Sequence, residues 1–159
     1  MLRYLYIKQL EIPGEKTLGI FISGCQVQCK GCPTRELWED KGTVLGLTEL
    51  QYLLNQYPDI TCLCLYGGTH DIDGLIELFM YAHKRIKTAW YCGLDMLPKD
   101  KKGIMFYLDY LRLGHYDAEL GGLNSPTTNQ CFYKIYPDGD GVIMADNTKD
   151  FWKDDTVQG

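Results

Sequence analysis

Three cysteines close together constrain this chain more than any other feature of its sequence. Cys25, Cys29 and Cys32 have the spacing CxxxCxxC, so their thiolates can converge on one metal centre. A closed tetrahedral zinc site, or a four-iron cluster held entirely by protein, needs four ligands. If these cysteines hold a four-iron cluster, one iron lacks a protein thiolate. An iron left open in this way indicates chemistry rather than a purely structural role.

The segment before the cysteines predicts where the fold places them. Residues 19–24 read GIFISG, an apolar and β-rich run that ends in Ser23 and Gly24. The run predicts that the cysteine loop leaves the C-terminal end of a buried strand. Open α/β folds place their ligand sites at that edge of the sheet.

The rest of the chain alternates strand and helix patterns, which favours parallel βαβ units with right-handed crossovers. Helices are predicted after Leu47, with Thr48 as the cap, and after a cap at Asp71 or Asp73, and a short helical piece at 103–107. Strands are predicted at 3–12, 16–22, 60–66, 88–92, 110–113 and 131–136.

The length of the chain limits which parallel architecture it can form. At 159 residues it is too short for a complete eight-fold β/α barrel, which needs ~250 residues. We therefore expect a single α/β domain, a partial and open parallel β/α barrel, over residues 1–145. Residues 146–159 form a predicted tail with only Phe151, Trp152 and Val157 as anchors.

Composition excludes several classes of function. The net charge of −5 and the absence of a dense Lys/Arg run argue against binding to nucleic acid. No run approaches the ~20 apolar residues of a membrane span. The N-terminal residues lack the pattern of a secretory signal, so we expect a cytoplasmic protein. Seven cysteines in such a chain favour a metal site over a disulfide framework.

Two other interpretations of the cysteines remain open at this stage. Cys29 and Cys32 could form a redox dithiol, although this leaves Cys25 unexplained. A structural zinc site is also possible, with its fourth ligand supplied from elsewhere in the chain. The candidates for that ligand are His70, His83 and His115.

The sequence resembles a known family in several segments. GCQVQCKGC at 24–32, followed by Trp38, resembles the cysteine loop of radical S-adenosylmethionine enzymes. More narrowly, it is similar to the small activating proteins of anaerobic ribonucleoside-triphosphate reductase. Tyr66-Gly67-Gly68-Thr69 is similar to the family's Gly-Gly-acid motif, and LDYLRLGHY at 108–116 and SPTTNQC at 125–131 look like later activase segments. The resemblance spans roughly residues 6–133.

The resemblance implies an enzyme that holds a [4Fe-4S] cluster on Cys25, Cys29 and Cys32, its catalytic residues. Its open iron would chelate the methionine moiety of S-adenosylmethionine. Reductive cleavage would give a 5′-deoxyadenosyl radical, which abstracts hydrogen from a glycine of the reductase catalytic subunit. A reduced flavodoxin or ferredoxin would supply the electron, because the chain has no second cluster motif.

The same resemblance implies which residues contact the cofactor. Gly31, Cys32 and Pro33 would lie near the adenine. Tyr66, Gly67, Gly68 and Thr69 would lie at the methionine end. Many relatives have Asp or Glu where this chain has Thr69. The ammonium group would therefore bind the Thr69 hydroxyl, a backbone carbonyl or Asp71.

Other functions are also compatible with these residues, and several further residues have expected roles. The same cofactor could serve another glycyl-radical enzyme or a small-molecule substrate, and a non-enzymatic alternative is a zinc- or cluster-bearing interaction module. Trp38 is expected to anchor the cysteine loop by packing. Buried core thiols are expected at Cys62, Cys64 and Cys92, and residues near the opening of the site at His115, Tyr116, Asn129 and Gln130.

Overall fold

The structure, a computed structural model that describes residues 1–152, contains one eight-stranded mixed sheet with the strand order β3-β1-β2-β4-β5-β6-β7-β8. Strands β2, β4, β5 and β6 pair in parallel, and the other pairs are antiparallel. The strands are β1 Arg3–Leu10, β2 Thr17–Ile22, β3 Thr43–Val44, β4 Cys62–Tyr66, β5 Lys87–Tyr91, β6 Tyr110–Leu113, β7 Cys131–Asp138 and β8 Gly141–Asp146.

The parallel strands lie at the centre of the sheet, and both of their faces are covered. Every residue of β2 is buried, and β4 is buried except at Tyr66. This burial explains why both strands read as nearly continuous apolar runs rather than as an alternating pattern. Helix α1, Leu47–Gln56, helix α2, Ile72–Ala82, and a 3₁₀ helix, Lys99–Tyr107, lie in the connections that lead to β4, β5 and β6.

The two helices bury one face each, and the structure corrects one of their predicted caps. Helix α1 buries Leu50 and Leu53, and its N-cap is Gly46 rather than Thr48, which lies inside the first turn. Helix α2 begins as predicted after Asp71, whose Oδ1 accepts a hydrogen bond from Gly74 N at 3.0 Å. This bond satisfies one of the otherwise unpaired amides at the start of the helix.

Alternating residues of the strands build two cores on opposite faces of the sheet. On the helix face, Leu63, Leu65 and Trp90 pack with residues of α1 and α2. On the opposite face, Cys62, Cys64 and Tyr91 pack with Leu123 and Phe132. The predicted burial of Cys62, Cys64 and Cys92 is confirmed, since all three are fully buried.

The C-terminal part of the described chain adds structure that the sequence analysis did not predict. The turn after β7 leads into β8, and β7 extends to Asp138. A 3₁₀ helix, Thr148–Trp152, follows, and Phe151 packs edge-on against Phe132 with ring centroids 4.8 Å apart. The rest of the predicted tail, including Val157, lies outside the described residues, so the division of the chain at residue 145 stays a prediction.

The predicted partial barrel also stays a prediction. Four adjacent parallel strands fit such a barrel, but here they continue into antiparallel strands on both sides. Among residues 1–152, no helix has the length and apolar character required to span a membrane.

Glycines follow the C-terminal ends of all four parallel strands. Gly24, Gly67, Gly93 and Gly114 each come within two residues of a strand end. Three of them, Gly24, Gly67 and Gly114, have positive φ angles, which glycine adopts without steric cost. The backbone can therefore turn sharply at this edge of the sheet, where the cysteine loop also leaves β2.

Candidate metal centre

The cysteine loop is fixed to the sheet by hydrogen bonds near its two ends. Ser23, at the end of β2, is fully buried, and its Oγ accepts a hydrogen bond from Lys41 N at 3.1 Å. Inside the loop, Cys25 N donates to Leu37 O at 2.9 Å. These bonds tie residues 23–41 together. The loop follows β2, whose residues are all buried, so the predicted position of the loop after a buried strand is confirmed.

All three cysteines of the motif line one cavity of about 320 Å³ at this edge of the sheet. Cys32 N donates to Cys29 O at 3.1 Å, which forms a tight turn between these two cysteines. Cys29 Sγ accepts a hydrogen bond from Tyr116 N at 3.3 Å, and Cys32 Sγ accepts one from Thr34 N at 3.4 Å. Among the described residues, no other cysteine lines the cavity.

Gly31 lets this turn approach its neighbour closely. Its φ is +74°, and a Cβ placed on it would lie 2.7 Å from Ala118 Cβ. Carbon atoms in contact prefer ~3.5–4.0 Å, so a side chain here would push the turn at Ala118 away from the loop. The resemblance implied a cofactor role for Gly31. The structure shows the turn but does not place Gly31 in the cavity lining.

The electrostatics around Cys29 favour the neutral thiol until a metal binds. Burial raises the pKa of Cys29, and the neighbouring thiols of Cys32 and Cys25 raise it further. The amide of Tyr116 and the charge of Arg112 act in the opposite direction. Because metals bind thiolates, binding here must release a proton and is expected to strengthen with rising pH.

The arrangement of the thiols fits a multi-iron cluster. Within residues 1–152, no three His, Cys, Asp or Glu side chains are placed so that they could hold a single metal ion. In a four-iron cluster each thiolate binds a different iron. Cys25, Cys29 and Cys32 line one cavity, and together they could supply three such thiolates.

The three histidines considered as zinc ligands lie outside the cavity lining. The ring of His83 packs against Tyr107 at 5.1 Å, and His115 Nδ1 lies 2.8 Å from Asp95 Oδ1. His70 packs beside Gly24. His83 and His115 thus have other partners, whereas both ring nitrogens of His70 are buried without a hydrogen-bond partner among the described residues.

The structure brings some of the predicted cofactor residues to the cavity and not others. Pro33, Tyr66 and Gly67 line it together with the cysteines. Gly68 is buried with a φ of +85° and packs against Leu75 instead. Thr69 lies in a 3₁₀ helix that lines a different cavity. The roles of all these residues toward a cofactor stay predictions.

Asp71, the proposed alternative to Thr69, has two structural partners. It caps α2, and its Oδ2 lies 3.3 Å from the amino group of Met1. Like Thr69, it lines the other cavity.

The backbone carbonyl of Gly67 already has a partner, because it accepts a hydrogen bond from Trp90 Nε1 at 2.7 Å.

Arg112 is a cavity residue that the sequence analysis did not single out. It lies on β6, is 9% exposed, and lines the cavity. Its guanidinium carbon lies 5.2 Å and 4.8 Å from the ring centroids of Tyr66 and Tyr91, and within residues 1–152 its buried Nε has no hydrogen-bond partner. A charged residue between Leu111 and Leu113 in a short apolar strand is the sequence signal that marks it.

Gln130 presents an oriented acceptor to the same cavity. It is 3% exposed, and its Nε2 donates to Gly114 O at 3.3 Å. With the amide nitrogen held by that carbonyl, Oε1 is the atom available to a bound molecule. Asn129 lies next to it but does not line the cavity; its Nδ2 donates to His115 O at 3.1 Å.

The predicted positions near the opening are divided by the structure. Tyr116 lines the cavity, whereas the half-exposed His115 faces Asp95.

Leu37, from the short 3₁₀ helix Arg35–Trp38, is buried. Trp38 is only partly buried, and the Arg35 guanidinium lies 5.0 Å from its ring.

Comparison with known proteins supports the metal site. A family model described as a 4Fe-4S single cluster domain matches residues 13–125, a segment that contains all three cysteines. No curated protein and no solved structure matches the chain.

Proposed function

The chain belongs to the family of 4Fe-4S single cluster domains, and from that premise we propose that it is a radical S-adenosylmethionine activase. In this proposal it generates a glycyl radical on anaerobic ribonucleoside-triphosphate reductase. Cys25, Cys29 and Cys32 hold the cluster. One observation carries the proposal: within the described residues, the cavity contains three cysteines and no fourth thiol or histidine.

A four-iron cluster held by Cys25, Cys29 and Cys32 would have one iron without a protein ligand, and that iron could bind a second molecule. When bound and reduced, such a cluster supplies the low-potential electron that cleaves a sulfonium. The cavity volume of about 320 Å³ lies near the lower end of the roughly 300–1,000 Å³ typical of small-ligand pockets. Because the cysteines line this same cavity, a cluster and the molecule bound to it would share the volume.

Arg112 is suited to bind a carboxylate of that molecule. Its buried guanidinium lies on the cavity wall, and a guanidinium pairs with carboxylates through two parallel hydrogen bonds. The rings of Tyr66 and Tyr91 hold it in place from the sheet side. A molecule with an amino-acid end, such as S-adenosylmethionine, would offer its carboxylate to this guanidinium.

Gln130 would orient the bound molecule, and aromatic rings give the cavity apolar surface. The Oε1 atom of Gln130 can accept a hydrogen bond from an amine or hydroxyl of the bound molecule. Tyr66, Tyr91 and Phe151 supply apolar wall. A reactive radical needs such a dry surrounding, because it otherwise reacts with unintended groups.

The cavity size also bears on the substrate. Once the cofactor is bound, a cavity of this volume leaves little room to enclose a second small molecule. A macromolecular substrate that covers the opening is therefore favoured over a small one. The glycine of the reductase catalytic subunit is our first candidate, and a glycine of another glycyl-radical enzyme is the second.

The electron must come from a partner protein. Among the described residues, the remaining cysteines are three buried core thiols and Cys131, which lies at the start of β7. None of them lines the cavity. A reduced flavodoxin or ferredoxin is the donor class that we propose.

Anaerobic reconstitution tests the proposal in two steps. The protein should bind a [4Fe-4S] cluster, and each of Cys25→Ser, Cys29→Ser and Cys32→Ser should abolish it. Under reduction, the loaded protein should convert S-adenosylmethionine to 5′-deoxyadenosine and methionine. A mixture with the reductase should then show a glycyl radical by electron paramagnetic resonance.

The two steps have different failures. A cluster-bearing protein that cleaves no S-adenosylmethionine under reduction would refute the activase and leave an iron-sulfur interaction or electron-transfer module. Cleavage without a radical on the reductase, but with one on another glycyl-radical enzyme, would change the partner and keep the chemistry.

A further inference from the structure

Hydrogen bonds to the three cysteine sulfurs are unevenly distributed. Thr34 makes two contacts with Cys32 Sγ, one from its backbone N and one from its Oγ1, each at 3.4 Å. Cys29 Sγ accepts one hydrogen bond, from Tyr116 N at 3.3 Å. Within residues 1–152, the Cys25 sulfur accepts none.

Metal binding decides the direction of the bond between the Thr34 hydroxyl and Cys32. In the metal-free protein either group could be the donor. A thiolate that ligates iron carries no proton, so the Thr34 hydroxyl must then donate. Thr34 is only half-buried, but it lines the cavity, and a bound molecule would shield the hydroxyl from water.

This hydroxyl is the one donor to these sulfurs that depends on the identity of a side chain. The other two donors are backbone amides, which any residue except proline would supply. Hydrogen bonds to the sulfurs of an iron-sulfur cluster stabilise its more negative, reduced state and so raise the reduction potential. The hydroxyl also acts on one thiolate only. The iron bound by Cys32 would therefore have a hydroxyl hydrogen-bond donor on its ligand that the irons bound by Cys25 and Cys29 lack.

We propose that the Thr34 side chain sets the reduction potential of the cluster by donating a hydrogen bond to the Cys32 thiolate. Thr34 is a positioning and tuning residue rather than a catalytic one, since it acts through Cys32. The proposal rests on the part of the proposed function that makes Cys32 a cluster ligand. It does not depend on S-adenosylmethionine or on the reductase.

A redox titration of the reconstituted full-length protein, followed by electron paramagnetic resonance without added S-adenosylmethionine, tests this role. Thr34→Val keeps the shape of the side chain and removes the hydroxyl, so the midpoint should shift to a more negative potential. Thr34→Ser keeps the hydroxyl and should stay close to wild type. Thr48→Val, the same change on an exposed position of α1, is the matched control and should leave the midpoint unchanged.

A second measurement needs no variant and covers the case in which Thr34→Val fails to assemble. Hydroxyl protons exchange with solvent much faster than hydrogen-bonded amide protons. After a brief exposure of the wild-type reduced cluster to D₂O, electron-nuclear double resonance should lose one coupled proton and keep those of the two amides.

The outcomes separate this inference from the proposed function. An intact cluster with an unchanged midpoint in Thr34→Val, or with no rapidly exchanging coupled proton in wild type, would overturn the role of Thr34 while leaving the activase intact. A wild-type protein that binds no cluster would overturn both.

Discussion

The contact between Gly31 and Ala118 leads to a prediction whose size follows from the structure. A Cβ on Gly31 would lie 2.7 Å from Ala118 Cβ, which is about 1 Å closer than carbon atoms in contact prefer. Gly31→Ala therefore carries two costs. The left-handed backbone at φ +74° costs an L-residue about 1–2 kcal/mol, and overpacking of this degree costs about 1–3 kcal/mol.

A second glycine isolates the backbone cost. Gly14 has a similar φ of +86°, but no atom lies within 4 Å of where its Cβ would be. Gly14→Ala should therefore lower the free energy of unfolding by only about 1–2 kcal/mol. Gly31→Ala should lower it by roughly 2–5 kcal/mol, the sum of both costs. Guanidinium unfolding of the metal-free protein, followed by circular dichroism, measures both values.

The same displacement should impair cluster binding. Moving the turn at Ala118 by about 1 Å would lengthen the bond from Tyr116 N to Cys29 Sγ, now 3.3 Å. Gly31→Ala should therefore hold less iron after anaerobic reconstitution than Gly14→Ala. Ala118→Gly in the same chain removes the atom that clashes, so the double variant should recover the steric part and keep the backbone part. Equal stability losses for the two single variants, or no recovery in the double variant, would refute this account.

Three further predictions concern the cavity and the sheet. Arg112→Met should weaken S-adenosylmethionine binding at least tenfold by calorimetry, because the carboxylate loses its charged partner. The iron content should stay near that of wild type. Unchanged affinity would exclude Arg112 as the partner of the carboxylate. Gln130→Leu should weaken binding by about fivefold to tenfold, the value of one neutral hydrogen bond. Glu15 accepts hydrogen bonds from Tyr110 and Lys87 at 2.6 and 3.0 Å, so Glu15→Gln should cost about 2–3 kcal/mol of unfolding free energy at pH 7, measured by guanidinium titration.

The last of these predictions has a pH dependence with a defined sign. Burial alone would raise the pKa of Glu15, but hydrogen bonds from Thr61, Tyr110 and Lys87 outweigh it and lower the pKa below its ordinary value of 4.5. A lowered folded-state pKa contributes stability above the unfolded pKa, and this stability is lost as the pH falls through the folded pKa. Wild type should therefore lose more stability than Glu15→Gln between about pH 5 and pH 3. If wild type and Glu15→Gln lose the same unfolding free energy between these two pH values, the hydrogen bonds from Thr61, Tyr110 and Lys87 do not stabilise the Glu15 carboxylate.

The local pattern of the sequence predicted the central sheet well because parallel strands are buried on both faces. The apolar runs at β2, β4 and β6 stand out for that reason, and the structure confirms these strands to within about two residues at each end. Strand β8, GVIMAD, was missed because it has mixed exposure. Its place depends on pairing with β7 rather than on its own pattern.

The sequence could predict the cysteines as a group but not every partner around them. Spacing alone places Cys25, Cys29 and Cys32 in one loop, whereas the contact of Tyr116 N with Cys29 Sγ joins residues 87 positions apart in the sequence. Asp71 shows the opposite limit. A carboxylate three residues after Gly68 can serve a ligand or a helix end, and the structure assigns it to the helix end.

The charges around the cavity give a final argument about its occupant. Under the proposed function, three ligating thiolates bring negative charge to a lining whose cation, among the described residues, is Arg112. A [4Fe-4S] core offsets only part of this charge. A purely anionic ligand would meet repulsion from the thiolates, and a purely cationic one would meet repulsion from Arg112. A molecule with both a carboxylate and a sulfonium meets both requirements if its carboxylate lies toward Arg112 and its positive sulfur toward the thiolates. If the proposed function is right, S-adenosylmethionine should bind the reconstituted protein in preference to a nucleoside phosphate, and competition between the two compounds measures that preference.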